Sequence, residues 1–179
     1  TKVVESTGHN YVDGICTICG WIEGLEYSLN EDEITITDYS GSKSELVIPA
    51  DFCGYPVVAI ERYAFENCTN LASITMPDSV TSIGDYAFYN CSSLTSITIS
   101  DRVTCIGDYA FVDCSSLTSI TIPDCVTNIG ISAFYNCSSL TSITIPDSVT
   151  SIGDSAFSSC DSLASISVDE NNQVYDSRN

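Results

Sequence analysis

The stretch CSSLTSITIPDSVTSIGDSAFSSC, residues 137–160, decides the fold, because nearly the same words run from Cys91 to Cys114 and again from Cys114 to Cys137. Aligned on itself, the chain keeps one period: Leu71, Leu94, Leu117, Leu140 and Leu163 each stand 23 residues apart. Ile74, Ile97, Ile120, Ile143 and Ile166 follow in step, as do Ile83, Ile106, Ile129 and Ile152, and Phe88, Phe111, Phe134 and Phe157. A fixed period of about 20–29 residues is the signature of a solenoid, in which one repeat cannot bury its apolar side alone and stacked neighbours share a core.

Within a repeat, LTSITI alternates apolar and polar residues, which predicts a short strand with Leu94, Ile97 and Ile99 inward and Ser96 and Thr98 toward solvent. Pro123–Asp124 and Pro146–Asp147 then turn the chain, Pro by fixing its own backbone and Asp by bonding to nearby amides. VTSIGDYAF returns Val80, Ile83, Ala87 and Phe88 to the same interior from the opposite wall. Gly84 is read here as a bend that a side chain would resist.

The pattern CxxLxSIxIPxxVxxIGxxAFxxC resembles the BspA-type leucine-rich repeat over residues 46 to 168. The resemblance implies a leucine-rich repeat solenoid, with short parallel strands stacked one per 23-residue coil, and LEYSLNEDEITITDYSGSKSELVIP ahead of it reads as strands joined by polar turns, an N-terminal β-hairpin cap. The expected organisation is a small Cys-x2-Cys leader over 1–24, the β cap over 25–45, and a solenoid of five to six coils over 46–179. The first turn, PADFCGYPVVAI from Pro49 to Ile60, is five residues longer than the later PDSVTSI. SISVDENNQVYDSRN reads as the start of a further long turn, so the array is expected to be truncated at its C-terminal end.

Composition narrows the function. Only five Lys and Arg stand against 24 Asp and Glu, a net charge of −19, so a nucleic acid duplex or an anionic membrane surface is repelled. No apolar run approaches the roughly 18–20 residues that span a bilayer, and no membrane insertion is expected. The opening TKVVESTGHN lacks the apolar stretch of a secretion signal, yet a chain that begins on Thr reads as processed.

Five of the ten cysteines, Cys68, Cys91, Cys114, Cys137 and Cys160, fall on one repeat position and are read as a column of small buried hydrophobes. Cys53, Cys105 and Cys125 are read as separate free thiols. The leader holds His9, Cys16 and Cys19 in an H-x6-C-x2-C arrangement. Two thiolates at that spacing grip one tetrahedral zinc with His9 as a third ligand, but no fourth is evident, and a Cys16–Cys19 disulfide or free pair stands as the alternative. Zinc is therefore the one cofactor left open. Asp78, Asp101, Asp124 and Asp147 align at one turn and Asp85, Asp108 and Asp154 at another; turn bonding accounts for them without an ion.

Binding candidates lie on the outside. Tyr63, Tyr86 and Tyr109 form a column with Tyr89 and Tyr135 nearby, and aromatic residues of this kind anchor proteins or sugar rings. Ser96, Thr98, Ser119 and Thr121, with their equivalents, pave one sheet with small hydroxyls. The only histidine, His9, sits away from the array, so a Ser/His/Asp machine is not expected and no enzyme is foreseen. The family resemblance implies an extracellular or cell-surface protein that binds a protein partner in host matrix or on neighbouring cells. Carbohydrate binding through the tyrosines, or a passive structural spacer, are the alternatives.

Overall fold

The computed structural model describes residues 11–12, 15–16 and 22–176. Coils of 23 residues stack one above another, and their short strands pair in parallel between equivalent positions on two walls. On the first wall Glu45–Val47 pairs with Ser73–Thr75, which pairs with Ser96–Thr98; further along, Ser142–Ile145 pairs with Ser165–Val168. On the second, Tyr55–Ile60, Ser82–Ile83, Cys105–Ile106, Asn128–Ile129 and Ser151–Ile152 form a continuous ladder. No helix occurs among the described residues.

The predicted interior is the observed one. Leu71, Leu94, Leu117 and Leu140 are buried, and so are Val80, Val103, Val126 and Val149 opposite them. Between the walls, Phe65, Phe88, Phe111, Phe134 and Phe157 lie ring on ring, their centroids 5.1, 5.1, 5.2 and 5.5 Å apart. In the last described coil Leu163 is only half-buried and Ile166 is 44% exposed, because no further described coil stacks on them.

The N-terminal hairpin joins Leu25–Asn30 to Glu33–Tyr39 through Glu31 and Asp32, both at positive φ. Glu33–Tyr39 pairs in parallel with Tyr55–Ile60, so the hairpin extends the second wall and covers the first coil. Ile34 and Ile36 are buried there, and the Tyr39 ring meets Phe65 at 5.6 Å, closing that end of the phenylalanine column. The long first turn is a second hairpin, Asp51–Phe52 against Tyr55–Ile60, turned by Cys53 and Gly54 at φ 54° and 85°.

Gly84 does not serve as the expected bend, since among the described glycines only Gly24 and Gly54 have positive φ. Gly84, Gly107, Gly130 and Gly153 instead touch the backbone of the preceding coil. A Cβ on Gly130 would stand 2.5 Å from the Gly107 carbonyl carbon, and one on Gly153 would stand 2.4 Å from Ile131 N. Here glycine is needed for the closeness of two main chains.

The left-handed backbone goes to other residues. Tyr63, Tyr86, Tyr109, Ser132 and Ser155 have φ of 50–63°, and Asn67, Asn90, Asp113, Asn136 and Ser159 have φ of 56–61°. The segment from Gly84 to Cys91 shows why. The N–H groups of Tyr86, Phe88 and Asn90 donate forward to Asp108, Ala110 and Val112 of the next coil, while those of Ala87, Tyr89 and Cys91 donate back to Gly84, Tyr86 and Phe88. Alternating the two directions gives these backbone donors partners in a segment with no regular strand.

Candidate functional site

The hydroxyl-bearing wall comes first, because strand alternation alone positions it. Ser96, Thr98, Ser119 and Thr121 are all exposed, as are Ser142 and Thr144, while the isoleucines between them turn inward. One pair of these hydroxyls also bonds along the axis, Thr144 Oγ1 with Ser167 Oγ at 3.0 Å. Beside them, threonines clip coil to coil: Thr95, Thr118 and Thr141 Oγ1 donate to the carbonyls of Ala72, Thr95 and Thr118. The wall is not continuous. Residues 118–122 form no strand, and a groove of about 360 Å³ opens between 119–122 and 142–144, with Asp124 and Asp169 also lining it. LTSITI at 117–122 repeats 94–99 letter for letter, and nothing in the words explains the interruption.

The tyrosines form a ladder. Tyr63 and Tyr86 stack with centroids 4.9 Å apart, Tyr86 and Tyr109 at 4.7 Å, and Tyr89 leans on Tyr86 at 5.9 Å. Burial between its neighbours, reinforced by the Tyr109 and Tyr63 hydroxyls, raises the Tyr86 hydroxyl above the usual tyrosine range. Tyr135 stands apart from this stack and is 40% exposed. Arg62, which sequence reading did not single out, lies over the first rings, its guanidinium carbon 4.8 Å from the Tyr63 centroid and 5.3 Å from that of Tyr86. The missed signal was its place beside the first tyrosine of the column.

The cysteine column is interior, as expected, but its thiols are more than apolar fillers. Cys91, Cys114, Cys137 and Cys160 Sγ donate to the carbonyls of Phe65, Phe88, Phe111 and Phe134, at 3.0–3.2 Å. The Cys114 thiol beside Cys91 pushes its pKa up, and burial does the same for Cys137 and Cys160. For Cys68 the neighbouring Cys91 thiol is the main cause and burial the second. Each of these shifts, at Cys68, Cys91, Cys137 and Cys160, favours the neutral thiol. Cys53, Cys105 and Cys125 are free, with Cys53 and Cys125 exposed.

The aspartates bond across the stack. Asp85 Oδ1 accepts the Asp108 N–H at 2.9 Å, and Asp108 Oδ1 accepts the Ile131 N–H at 2.7 Å. Among the described residues, no three His, Cys, Asp or Glu side chains gather as a metal site. Of the zinc candidates, His9 and Cys19 lie outside the described residues, and so does the Cys16 side chain, although Ile15–Cys16 pairs its backbone antiparallel with Tyr11–Val12.

The comparisons with known proteins agree with this geometry. A model of the BspA type leucine rich repeat region matches residues 58–178 in six copies. A search of curated proteins gives no match. Among solved structures the chain is similar to a leucine-rich repeat protein of T. pallidum, with TM-score 0.78 and 37% identity over 80% of this chain and 68% of that one. It is also similar to a leucine-rich repeat protein from Bacteroides ovatus, with TM-score 0.75 and 35% identity over 83% of this chain and 40% of that one. A leucine rich cell surface protein from Faecalibacterium prausnitzii aligns with TM-score 0.55 and 32% identity over 85% of this chain and 55% of that one. The chain thus spans less than two thirds of the last two.

Proposed function

This chain belongs to the BspA type leucine-rich repeat family, and we propose that it is a non-enzymatic binding scaffold, secreted or held at a cell surface, that contacts another protein through its hydroxyl-bearing wall. The observation that carries this reading is the repetition of one exposed Ser/Thr pair from coil to coil: Ser96 and Thr98, Ser119 and Thr121, Ser142 and Thr144. Repeated coils spread similar side chains along a line and suit extended contact with a macromolecule, whereas catalysis needs unlike groups brought to one point. The Faecalibacterium prausnitzii relative is described as a cell surface protein, which supports the location. A partner in host matrix or on a neighbouring cell fits such a surface.

The test is direct. Plates coated with extracellular-matrix proteins are incubated with the chain, with a Thr98→Arg, Thr121→Arg variant, and with an unrelated protein of equal negative charge. Saturable binding by the chain alone supports the reading, and binding no greater than the charge control reduces the chain to a spacer. Carbohydrate binding through the tyrosines has less room, because the Tyr63 and Tyr86 ring faces are spent on each other and on Arg62. A glycan array separates the two readings.

A further inference from the structure

The groove in the hydroxyl-bearing wall interrupts a strand ladder. Ser142–Ile145 pairs forward with Ser165–Val168, and Ser96–Thr98 pairs back with Ser73–Thr75, while residues 119–122 between them join neither. The edge of Ser142–Ile145 that faces 119–122 is therefore a strand edge left without a strand, and such an edge is a template for another extended chain. The coils are in step where the gap begins, since the Thr141 N–H donates to the Thr118 carbonyl at 3.2 Å. Beyond that bond the groove of about 360 Å³ opens over Ile120, Ile122 and Ile143. Two exposed carboxylates line it, Asp124 one coil before Pro146 and Asp169 one coil after. Asp169 Oδ1 accepts from Asn171, whereas no hydrogen bond or ion pair among the described residues engages the Asp124 carboxylate. None of the five Lys and Arg lines the groove.

We propose that this groove binds an extended, basic segment of a partner protein, whose main chain pairs with the bare edge of Ser142–Ile145 and whose Lys or Arg side chain reaches Asp124 and Asp169. The proposal rests on the protein-binding reading above and narrows it to one place on the wall. Strand addition draws affinity from main-chain hydrogen bonds and specificity from the side-chain sites along the edge. Four extended residues span about 13 Å, enough to follow the edge from end to end. The isoleucines receive the apolar stem of a Lys or Arg while its charged head stays with the carboxylates in water. A second copy of this chain is a poor occupant, since each copy carries a net charge of −19 with only five Lys and Arg.

The experiment titrates the whole chain, labelled with 15N, at physiological salt with three capped peptides: Val-Thr-Val-Arg-Arg, Val-Thr-Val-Glu-Glu, and the basic peptide N-methylated at alternate main-chain nitrogens. The basic peptide is expected to bind and to shift the amide resonances of 142–145, and the acidic one to leave them in place. N-methylation keeps the charge and removes main-chain donors, and a loss of about tenfold or more is expected from it. Asp124→Asn and Asp169→Asn each weaken binding about two- to fivefold, and an Asn at 169 still accepts from Asn171. Glu45→Gln, exposed on the same wall outside the groove, leaves the affinity unchanged. No binding of the basic peptide, equal binding of the acidic or N-methylated one, unaltered affinity in both Asp variants, or shifts that spare 142–145 overturns the proposal. Matrix-protein binding is judged separately on the coated plates. A chain that holds matrix protein and ignores the peptides keeps the scaffold and loses the groove.

Discussion

Replacing Phe111 with Ala removes a fully buried ring that has a parallel neighbour on each face, at 5.1 and 5.2 Å. Losing a buried Phe side chain costs about 3–5 kcal/mol, a range that already contains the cavity left behind, and each stacked pair accounts for about 0.5–1.5 kcal/mol of aromatic preference. The expectation is about 4 kcal/mol for Phe111→Ala. Phe157→Ala deletes the same ring from the end of the column, where it is half-buried and has Phe134 at 5.5 Å on one face, and about 2 kcal/mol is expected. Urea unfolding followed by circular dichroism reads the difference. With a slope near 3 kcal/mol/M, the midpoint moves by about 1.3 M for the first variant and about 0.7 M for the second. Coils stacked in one dimension let the end fray without the middle, so the asymmetry is inherent in the architecture. Equal shifts, or a larger one for Phe157→Ala, would refute the continuous stacked core.

Gly130→Ala places a Cβ 2.5 Å from the Gly107 carbonyl carbon and is expected to cost about 1–3 kcal/mol of stability in the same urea assay, as overpacking does. Asn90→Ala puts a residue with no polar side chain at φ 56° and breaks the Asn90 Nδ2 bond to Asn67 Oδ1; it should lower stability by about 1–2 kcal/mol, while Asn90→Gly loses less. Because Cys91 and Cys137 have raised pKa values in the folded chain, the native state keeps protons that the unfolded chain releases at about pH 8.5. Stability is therefore level below that pH and falls above it, by up to about 1.4 kcal/mol per pH unit per thiol. Urea midpoints measured from pH 7 to pH 10, with Cys91→Ala plus Cys137→Ala as reference, check the sign. Native-state reaction with a thiol reagent should label Cys53 and Cys125 at once and leave Cys91 and Cys114 untouched until unfolding.

The interior was legible because a 23-residue period copies each apolar position into the same environment, and one reading of Leu94 or Phe111 serves its whole column. What escaped was set by contact between main chains. Gly84 and its equivalents look like bends in a single repeat, and only the stacked coils show a Cβ colliding with the coil before. The left-handed backbone at Tyr86 and Asn90 was hidden for a related reason: its hydrogen bonds run alternately within the coil and out to the next. Cysteine was read by size, and its donation to the Phe carbonyl of the neighbouring coil required the fold. The exposed Ser96 and Thr98 followed from alternation, whereas the groove at 119–122 arises from words identical to those of an unbroken strand. Arg62 gained meaning only when Tyr63 and Tyr86 were placed under it.

The stacked thiols carry a mechanical consequence. All the cysteines of that column are free, so among the described residues no covalent staple fastens one coil to the next, and pulling on the chain ends loads only strand bonds, threonine clips and ring stacks. Such an array yields one coil at a time, each releasing about 75–80 Å of chain when drawn taut. A protein stationed between a surface and a bound partner would on that account lengthen under strain before the contact at either end let go.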